Sequence, residues 1–469
     1  MKFCPIRRIL SAVFILLSLG VVAQNNKSAT SAEIVSGAKA GGKWKLAGNS
    51  KHIDTGIRLA GPGARAMLKD RNYTAFALNM DIKTSVGAKG YVTICADNKG
   101  NGYRIALDND FSSPTWWRKT GSLLSVRNLT RTAARDEKWF SLSVEVLGKM
   151  VTVRVNDETI VEYIEPERPF RTQENKGARL APGTIAVVST GPGSIDFKNV
   201  RIQDLSHEKV DLANQLAGSH NEENDDIIKL HQEDFPVLDY HVHLRGDLNK
   251  KTAAVRSRAA GINYALAPSC GLGFPIHDDE GVNNFLDTMK HEPYILAAQT
   301  EGREWVGLFS REALGKLDFV FTDAMTFDDH KGRRTRLWVE QEVHIDDEQV
   351  YMDMIVERTC KVLEEPVDVF VNPFFLPKPM QPRYDEFWTN ERIDKVIAVL
   401  AKSGKAMEIN NRYKIPNKTI IMKAKQAGIK FTFGTNNNTP EVGRMKYAVR
   451  MKKECGITSA DMYKPDVKP

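Results

Sequence analysis

The sequence predicts a multidomain protein, with an N-terminal all-β sandwich followed by a C-terminal α/β barrel. Three observations carry this. The chain has 469 residues, too many for one ordinary core. From Lys43 to Ile202 short alternating apolar and polar runs are separated by Gly, Asn, Asp and Pro. From Phe235 onward apolar runs alternate with helix-like stretches, which is the order of repeated β-α units and parallel strands.

Taken in order, residues 1–23 read as a cleavable secretory signal peptide. Lys2, Arg7 and Arg8 precede the apolar run Ile9–Val22, and Val21-Val22-Ala23 offers small residues for cleavage before Gln24. The run is short for a bilayer span and no other stretch is apolar enough for an integral membrane span, so the expected location is periplasmic or secreted. Removing Lys2, Arg7 and Arg8 from the formal charge of +7 leaves +4, and no long basic block follows, which speaks against nucleic acid. Cys95, Cys270, Cys360 and Cys455 are widely spaced, with neither the pattern of a zinc ribbon nor that of a disulfide scaffold.

The sandwich spans about 40–204. Its strand candidates include Thr74–Ile82, Gly90–Ala96, Tyr103–Leu107, Phe140–Leu147, Val151–Val155 and Thr184–Val188, with hairpin turns at Gly148-Lys149 and Asn156-Asp157-Glu158. Residues 205–232 form a polar linker, and its acidic cluster Asn221–Asp226 reads as solvated surface. In the barrel, over 233–462, the strands are Phe235–Leu244, Ile262–Ser269, Tyr294–Gly302, Asp318–Met325, Val367–Phe375, Lys405–Asn411 and Lys430–Asn438. Helices are expected at Ala253–Ala260, Gln349–Leu363, Glu391–Lys402 and Asn417–Ala427.

Every barrel strand ends in polar residues. The first carries His241 and His243, which as residues i and i+2 point to the same side and converge like one edge of a metal site. The others end in Ser269 and Cys270; Gln299 and Glu301, with Arg303 and Glu304 just beyond; Asp323; Asn372; Glu408 and Asn410; and Thr435 to Asn438. Catalytic groups of a parallel barrel sit at this end, so the ring reads as a pocket. Singly, each has a structural reading as a turn, a cap or a surface ion pair. His277 and His330 lie in loops after strand ends and read as exposed or pocket-reaching.

Asp239-Tyr240-His241-Val242-His243, Met407-Glu408-Ile409-Asn410-Asn411 and Phe433-Gly434-Thr435-Asn436-Asn437-Asn438-Thr439 make the second part resemble the PHP (polymerase and histidinol phosphatase) family. That resemblance implies a distorted seven-stranded barrel, phosphate-ester hydrolysis and up to three metals, with His241, His243 and the bridging Glu301 as ligands. The sequence departs from the family where Ser269 or Cys270, Asp323, Asn372, Asn436 and Asn438 replace ligand positions. Amides are poor ligands for divalent cations, so a trinuclear centre is not expected. Two readings stay open: one divalent ion (Zn or Mn) on His241, His243 and Glu301, or a metal-free pocket with Glu301, Asp323 and Glu408 as acids and bases. Asn372, Asn410, Asn436 and Asn438 would then bind substrate.

The first part resembles the 3-keto-disaccharide hydrolase domain, a jelly-roll relative of lectins and glucanases. The matching residues are Gly102–Asn109, Thr120–Leu123, Lys138-Trp139-Phe140, Val155-Asn156-Asp157 and the closing Ile195–Ile202. Arg104 and Ala106 stand where that family carries Glu and Gln. Arg104, Asp108, Trp116 and Trp117 are the candidate sugar contacts, with interior packing as the other reading for the tryptophans.

Three functions follow as expectations. The first is an exported carbohydrate-processing hydrolase or lyase acting on glycosides, 3-keto-glycosides included, with an oligosaccharide as partner. The second is a metal-dependent phosphoesterase, and the third a non-catalytic carbohydrate-binding protein.

Overall fold

The computed structural model describes residues 31–35, 43–69, 72–211 and 221–468. The signal segment and part of the linker lie outside the described residues. Among the described residues no helix is long and apolar enough to cross a membrane.

Among the described residues thirteen strands build the first part: β1 (Ser31–Val35), β2 (Trp44–Ala47), β3 (Ser50–Ile53), β4 (Gly56–Ala60), β5 (Arg65–Leu68), β6 (Phe76–Thr84), β7 (Lys89–Ala96), β8 (Tyr103–Asp108), β9 (Phe140–Leu147), β10 (Met150–Val155), β11 (Glu158–Ile164), β12 (Thr184–Ser189) and β13 (Ser194–Asp204). One antiparallel sheet runs β11-β10-β9-β6-β13-β4-β3, with β1 also on β13, and the other runs β2-β5-β12-β7-β8. β9 shows why these residues make a half-buried strand. Phe140, Leu142, Val144 and Val146 are buried, while the serines and Glu145 between them are not. Asn156 and Asp157 turn β10 into β11 with φ of 50° and 64°, the left-handed pair that a two-residue hairpin demands.

The chain then forms helix α1 (Asp226–Gln232), whose N-cap Asp225 accepts from the amides of Ile227 and Ile228. The second part follows with β14 (Leu238–Val242), α2 (Lys250–Ala260), β15 (Asn263–Leu266), β16 (Ser269–Cys270), α3 (Asp279–Met289), β17 (Ile295–Thr300) and β18 (Phe319–Thr322). A hairpin of β19 (Thr326–Asp328) and β20 (Arg334–Arg336) precedes α4 (Glu348–Val362), β21 (Val369–Phe370), α5 (Asn390–Ser403), β22 (Ala406–Asn410), α6 (Lys418–Gln426), β23 (Phe431–Gly434) and α7 (Lys446–Cys455). The parallel order is β14-β15-β17-β18-β21-β22-β23. No backbone ladder joins β14 to β23, so this is a near-barrel. Its seam is closed by Asp239, which accepts from the amides of Thr435 (2.9 Å) and Gly443 (3.2 Å), and by the amide of Asn436 donating to the His241 carbonyl at 2.9 Å. Helix α3 was not expected, because it starts inside the polar run Asp278-Asp279-Glu280.

The two parts share an interface that is apolar along α1 and crossed by polar contacts such as Arg258 to Glu162 and Arg131 to Asp318. Ile228 belongs to the apolar core of the sandwich and Leu230 to that of the barrel. Two positions apart on a helix, they point about 200° from one another, so α1 is gripped from both sides. The acidic cluster is not simply solvated surface. Glu222 is 1% exposed and accepts from Tyr163 Oη (2.8 Å), the Phe170 amide (2.9 Å) and Arg171 Nη1 (2.9 Å).

Trp116 and Trp117 settle on the packing reading, against that of sugar contacts. They are 3% and 5% exposed, stand edge to face at 5.7 Å, and join the barrel core. Trp117 Nε1 donates to Asp234 at 2.9 Å. A ring covered in this way has no face left for a pyranose. Trp116→Ala should therefore cost about 3–5 kcal/mol of stability, read as a shift in the urea unfolding midpoint.

Candidate functional site

The barrel brings the predicted ring together at one end. His241 and His243 leave β14 on the same side, with ring centroids 5.0 Å apart. His241 Nδ1 lies 2.7 Å from Glu408 Oε1 and its Nε2 lies 3.0 Å from Gln299 Oε1. Both acceptors call for a proton on the ring, and both His241 and Glu408 are fully buried. Burial opposes that charge, but the Glu408 carboxylate, its hydrogen bond, Gln299 and Asp239 outweigh it and hold the His241 pKa above its usual value. His243 behaves oppositely. Its Nδ1 donates to the Ala267 carbonyl at 2.6 Å, and burial, then the neighbouring His241 and Arg245, push its pKa well down. The two rings are thus driven in opposite directions, His241 toward the charged form and His243 toward the neutral one.

Behind the histidines runs a lattice of amides. Glu408 Oε2 accepts from the Asn372 amide (2.8 Å) and Asn410 Nδ2 (2.9 Å). Asn372 Oδ1 accepts from Asn410 Nδ2 (2.8 Å) and Asn436 Nδ2 (2.7 Å), and Asn372 Nδ2 donates to Asp323 Oδ2 at 3.0 Å. Asn372 and Asn436 hold φ of 47° and 48°, a conformation asparagine tolerates better than other side-chain-bearing residues. Gly434 is needed for close approach, because a Cβ there would collide with Glu408 Oε1 and stand 2.8 Å from His241 Cβ.

Glu301 is a partly open member of the ring. Burial first, and the neighbouring Asp323 second, push its carboxyl up to about 7. Burial likewise raises Asp323, whose Oδ1 caps the Met325 amide at 2.9 Å. Arg303 locks the end of β18 by donating to Thr322 Oγ1 (3.1 Å) and the Asp323 carbonyl (2.9 Å), while Glu304 turns away to Arg334.

These contacts bear on the metal question. Both His241 nitrogens already have partners, and His243 Nδ1 is turned to a carbonyl. Among the described residues no group of three or more His, Cys, Asp or Glu side chains is placed to hold an ion. The arrangement does not fit a Zn or Mn ion on His241, His243 and Glu301, and amides occupy the remaining ligand positions. His277 and His330 are exposed, outside the ring.

In the sandwich, Asp108 is buried in an ion pair. Its Oδ1 lies 3.2 Å from Nζ of Lys119, which is itself fully buried, and Lys89 stands 3.9 Å from its other oxygen. It is thus spent on internal charge balance and not offered to a sugar. Arg104 is half-buried over the ring of Tyr91 at 5.5 Å.

A feature missed in the sequence is a cleft of about 540 Å³ beside the seventh strand end. It is lined by Asn411, Asn436, Asn437 and Asn438 and bordered by Arg412, Lys414, Arg444 and Lys446. Its signal was the repeated Arg-x-Lys spacing of Arg412-Tyr413-Lys414 and Arg444-Met445-Lys446, in the stretches after two neighbouring strands.

Residues 32–203 match the profile of the 3-keto-alpha-glucoside-1,2-lyase-like domain. The first part is a 3-keto-disaccharide hydrolase-like domain. Among solved structures this domain is similar to a candidate glycosyl hydrolase from Parabacteroides distasonis ATCC 8503, at 19% identity over 35% of this chain and 89% of that one, with a TM-score of 0.31. It is also similar to the carbohydrate binding module CBM66 from Bacillus subtilis, at 14% identity over 36% and 97%, TM-score 0.26. A third likeness is the exoplasmic/lumenal domain of VIP36 in its Ca2+/Man3GlcNAc-bound form, at 14% identity over 37% and 88%, TM-score 0.28. No curated protein matches the chain. The matched segment is thus a carbohydrate-related, hydrolase-like domain.

Two outcomes test the site electrostatics. A carboxyl raised from 4.5 to about 7 weakens the fold as pH climbs through that window, because the unfolded state gives up its proton first. Glu301→Gln should therefore gain about 2 kcal/mol over the natural chain between about pH 4 and pH 8 in chemical denaturation. Asn372→Asp should do the reverse, placing a carboxylate against Asp323 and Glu408. It should lose about 2–4 kcal/mol at about pH 8 and recover part of that as pH falls.

Proposed function

We propose that the chain is an exported hydrolase or lyase acting on glycosides, with 3-keto-glycosides as its foremost candidates. The match of residues 32–203 carries the sugar assignment. The barrel would supply the acid and base. Glu301, with a pKa of about 7, is ionised in a useful fraction of molecules at neutral pH, and its repulsion with Asp323 favours one proton shared between the two.

On a 3-keto-glycoside, Glu301 would take the proton from the carbon between the ketone and the anomeric carbon. The electron pair left behind forms a double bond to the anomeric carbon, the glycosidic bond breaks, and Asp323 protonates the departing oxygen. On a plain glycoside the same pair would activate water and protonate the leaving group. Glu408 is better read as a positioning residue than as the base, because its oxygens already serve His241, Asn372 and Asn410. Asn372, Asn410 and Asn436 orient the acids, and Asn438, which is exposed, is the amide most open to substrate hydroxyls. Export rests on residues 1–23.

The test is a turnover screen of the secreted chain with 3-keto-glycosides, plain glycosides and phosphate monoesters, run with and without chelator. Cleavage of a glycoside is the expected result. Glu301→Gln should lower its rate about 10²–10⁴-fold with little change in KM. Phosphate-ester hydrolysis abolished by chelator, with no glycoside turned over, would replace this reading with the phosphoesterase one.

A further inference from the structure

The cleft beside the seventh strand end carries an excess of positive charge that the acid-base chemistry above does not use. Arg412, Lys414, Arg444 and Lys446 are all exposed along it, and the one carboxylate among its lining residues is Glu441. Glu441 pairs with Arg444. Among the described residues Arg412 stacks over Tyr413 at 4.9 Å without an ion pair, and neither Lys414 nor Lys446 has one. Several exposed lysines elsewhere do have carboxylate partners. Lys331 meets Asp346, Lys378 meets Glu340 and Lys423 meets Asp394, each at 2.7 Å. Lys414 also keeps a φ of 56°, unusual for a lysine in an exposed turn.

The geometry points to an anion subsite: the cleft takes a carboxylate or sulfate group of an acidic saccharide, which places the substrate of this chain among charged glycans. The assignment rests on the carbohydrate reading and narrows it. About 540 Å³ is room for a small ligand rather than for one ion. The cations sit on two separate stretches, after β22 and at the start of α7, as suits charges spread along a saccharide more than one compact phosphate. Asn438 adds a donor and an acceptor for hydroxyls. The cleft also connects with the acids. Asn436 lines it and donates to Asn372, which in turn donates to Asp323, so an anion held there lies two amides from the acid pair. Arg245, close enough to lower the pKa of Glu301, adds positive charge near the same acids.

The experiment is calorimetry on the mature full chain with trigalacturonate, a chondroitin sulfate oligosaccharide, maltotriose and inorganic sulfate, at low and high salt. The expected result is that at least one acidic saccharide binds about tenfold more tightly than maltotriose and loses that margin at high salt. In Arg412→Gln/Lys414→Gln, and separately in Lys446→Gln, acidic-saccharide affinity should fall by about tenfold and about threefold while the thermal midpoint stays put. Equal affinity for acidic and neutral saccharides overturns the assignment, as does an unchanged acidic-saccharide affinity in both variants. Inorganic sulfate binding as tightly as the saccharides overturns it too. Turnover of a neutral glycoside alongside any of those results leaves the proposed function standing and removes only the anion subsite; no binding and no turnover of any saccharide removes both.

Discussion

The barrel end depends on the seam between its first and last strands, and that seam depends on one buried carboxylate. Asp239 is fully enclosed and accepts from the amides of His241, Thr435 and Gly443 and from the Thr435 hydroxyl. Burial raises its pKa and these donors oppose the rise. The residue that opens the Asp-x-His-x-His run therefore acts as a staple. It fixes where β14 ends and sets the facing asparagines in register. Asn437 continues the stitch, accepting from the His243 amide at 2.7 Å and donating to the His243 carbonyl at 2.8 Å.

Given that seam, the polar ring is a consistent electrostatic design rather than a set of vacancies. An imidazolium opposite a carboxylate is close to neutral overall, which limits the cost of enclosing both. Amides fill the remaining places, and each can donate to one neighbour while accepting from another. The lattice of Asn372, Asn410 and Asn436 thus ties up lone pairs that would otherwise be stranded in a dry interior. At the edge of this lattice burial raises the carboxyls of Glu301 and Asp323, and Glu301 is the more open of the two.

Much of the architecture was legible because the periodicities were clean. Phe140–Leu147 alternates without a fault and forms β9 over those same residues. All seven barrel strands appear where apolar runs end in polar residues, although β21 shortens to Val369–Phe370 because Asn372 and Phe374 leave the extended region. Helices α3 and α7 were not anticipated. α3 starts in a run of acidic residues that also reads as loop, although Val282, Phe285, Leu286 and Met289 make an apolar stripe along it, and α7 carries one of its own in Tyr447, Ala448, Met451 and Cys455. In the site, the identity of the ring could be read but not its wiring. Nothing in the spacing of His241, Gln299 and Glu408 says that the three meet across the barrel. The tryptophan pair left two readings open, since a sequence cannot show which surface of a sandwich a second domain will cover.

Helix α1 has a consequence for how the two parts move. A segment whose opposite sides are sunk into two different apolar cores allows no joint at the waist of the molecule. Swinging the sandwich away from the barrel would pull Ile228 or Leu230 into water and strip the cover from both indole rings. The sandwich and the barrel are therefore built to move as one piece, with the waist acting as a rivet and not a hinge.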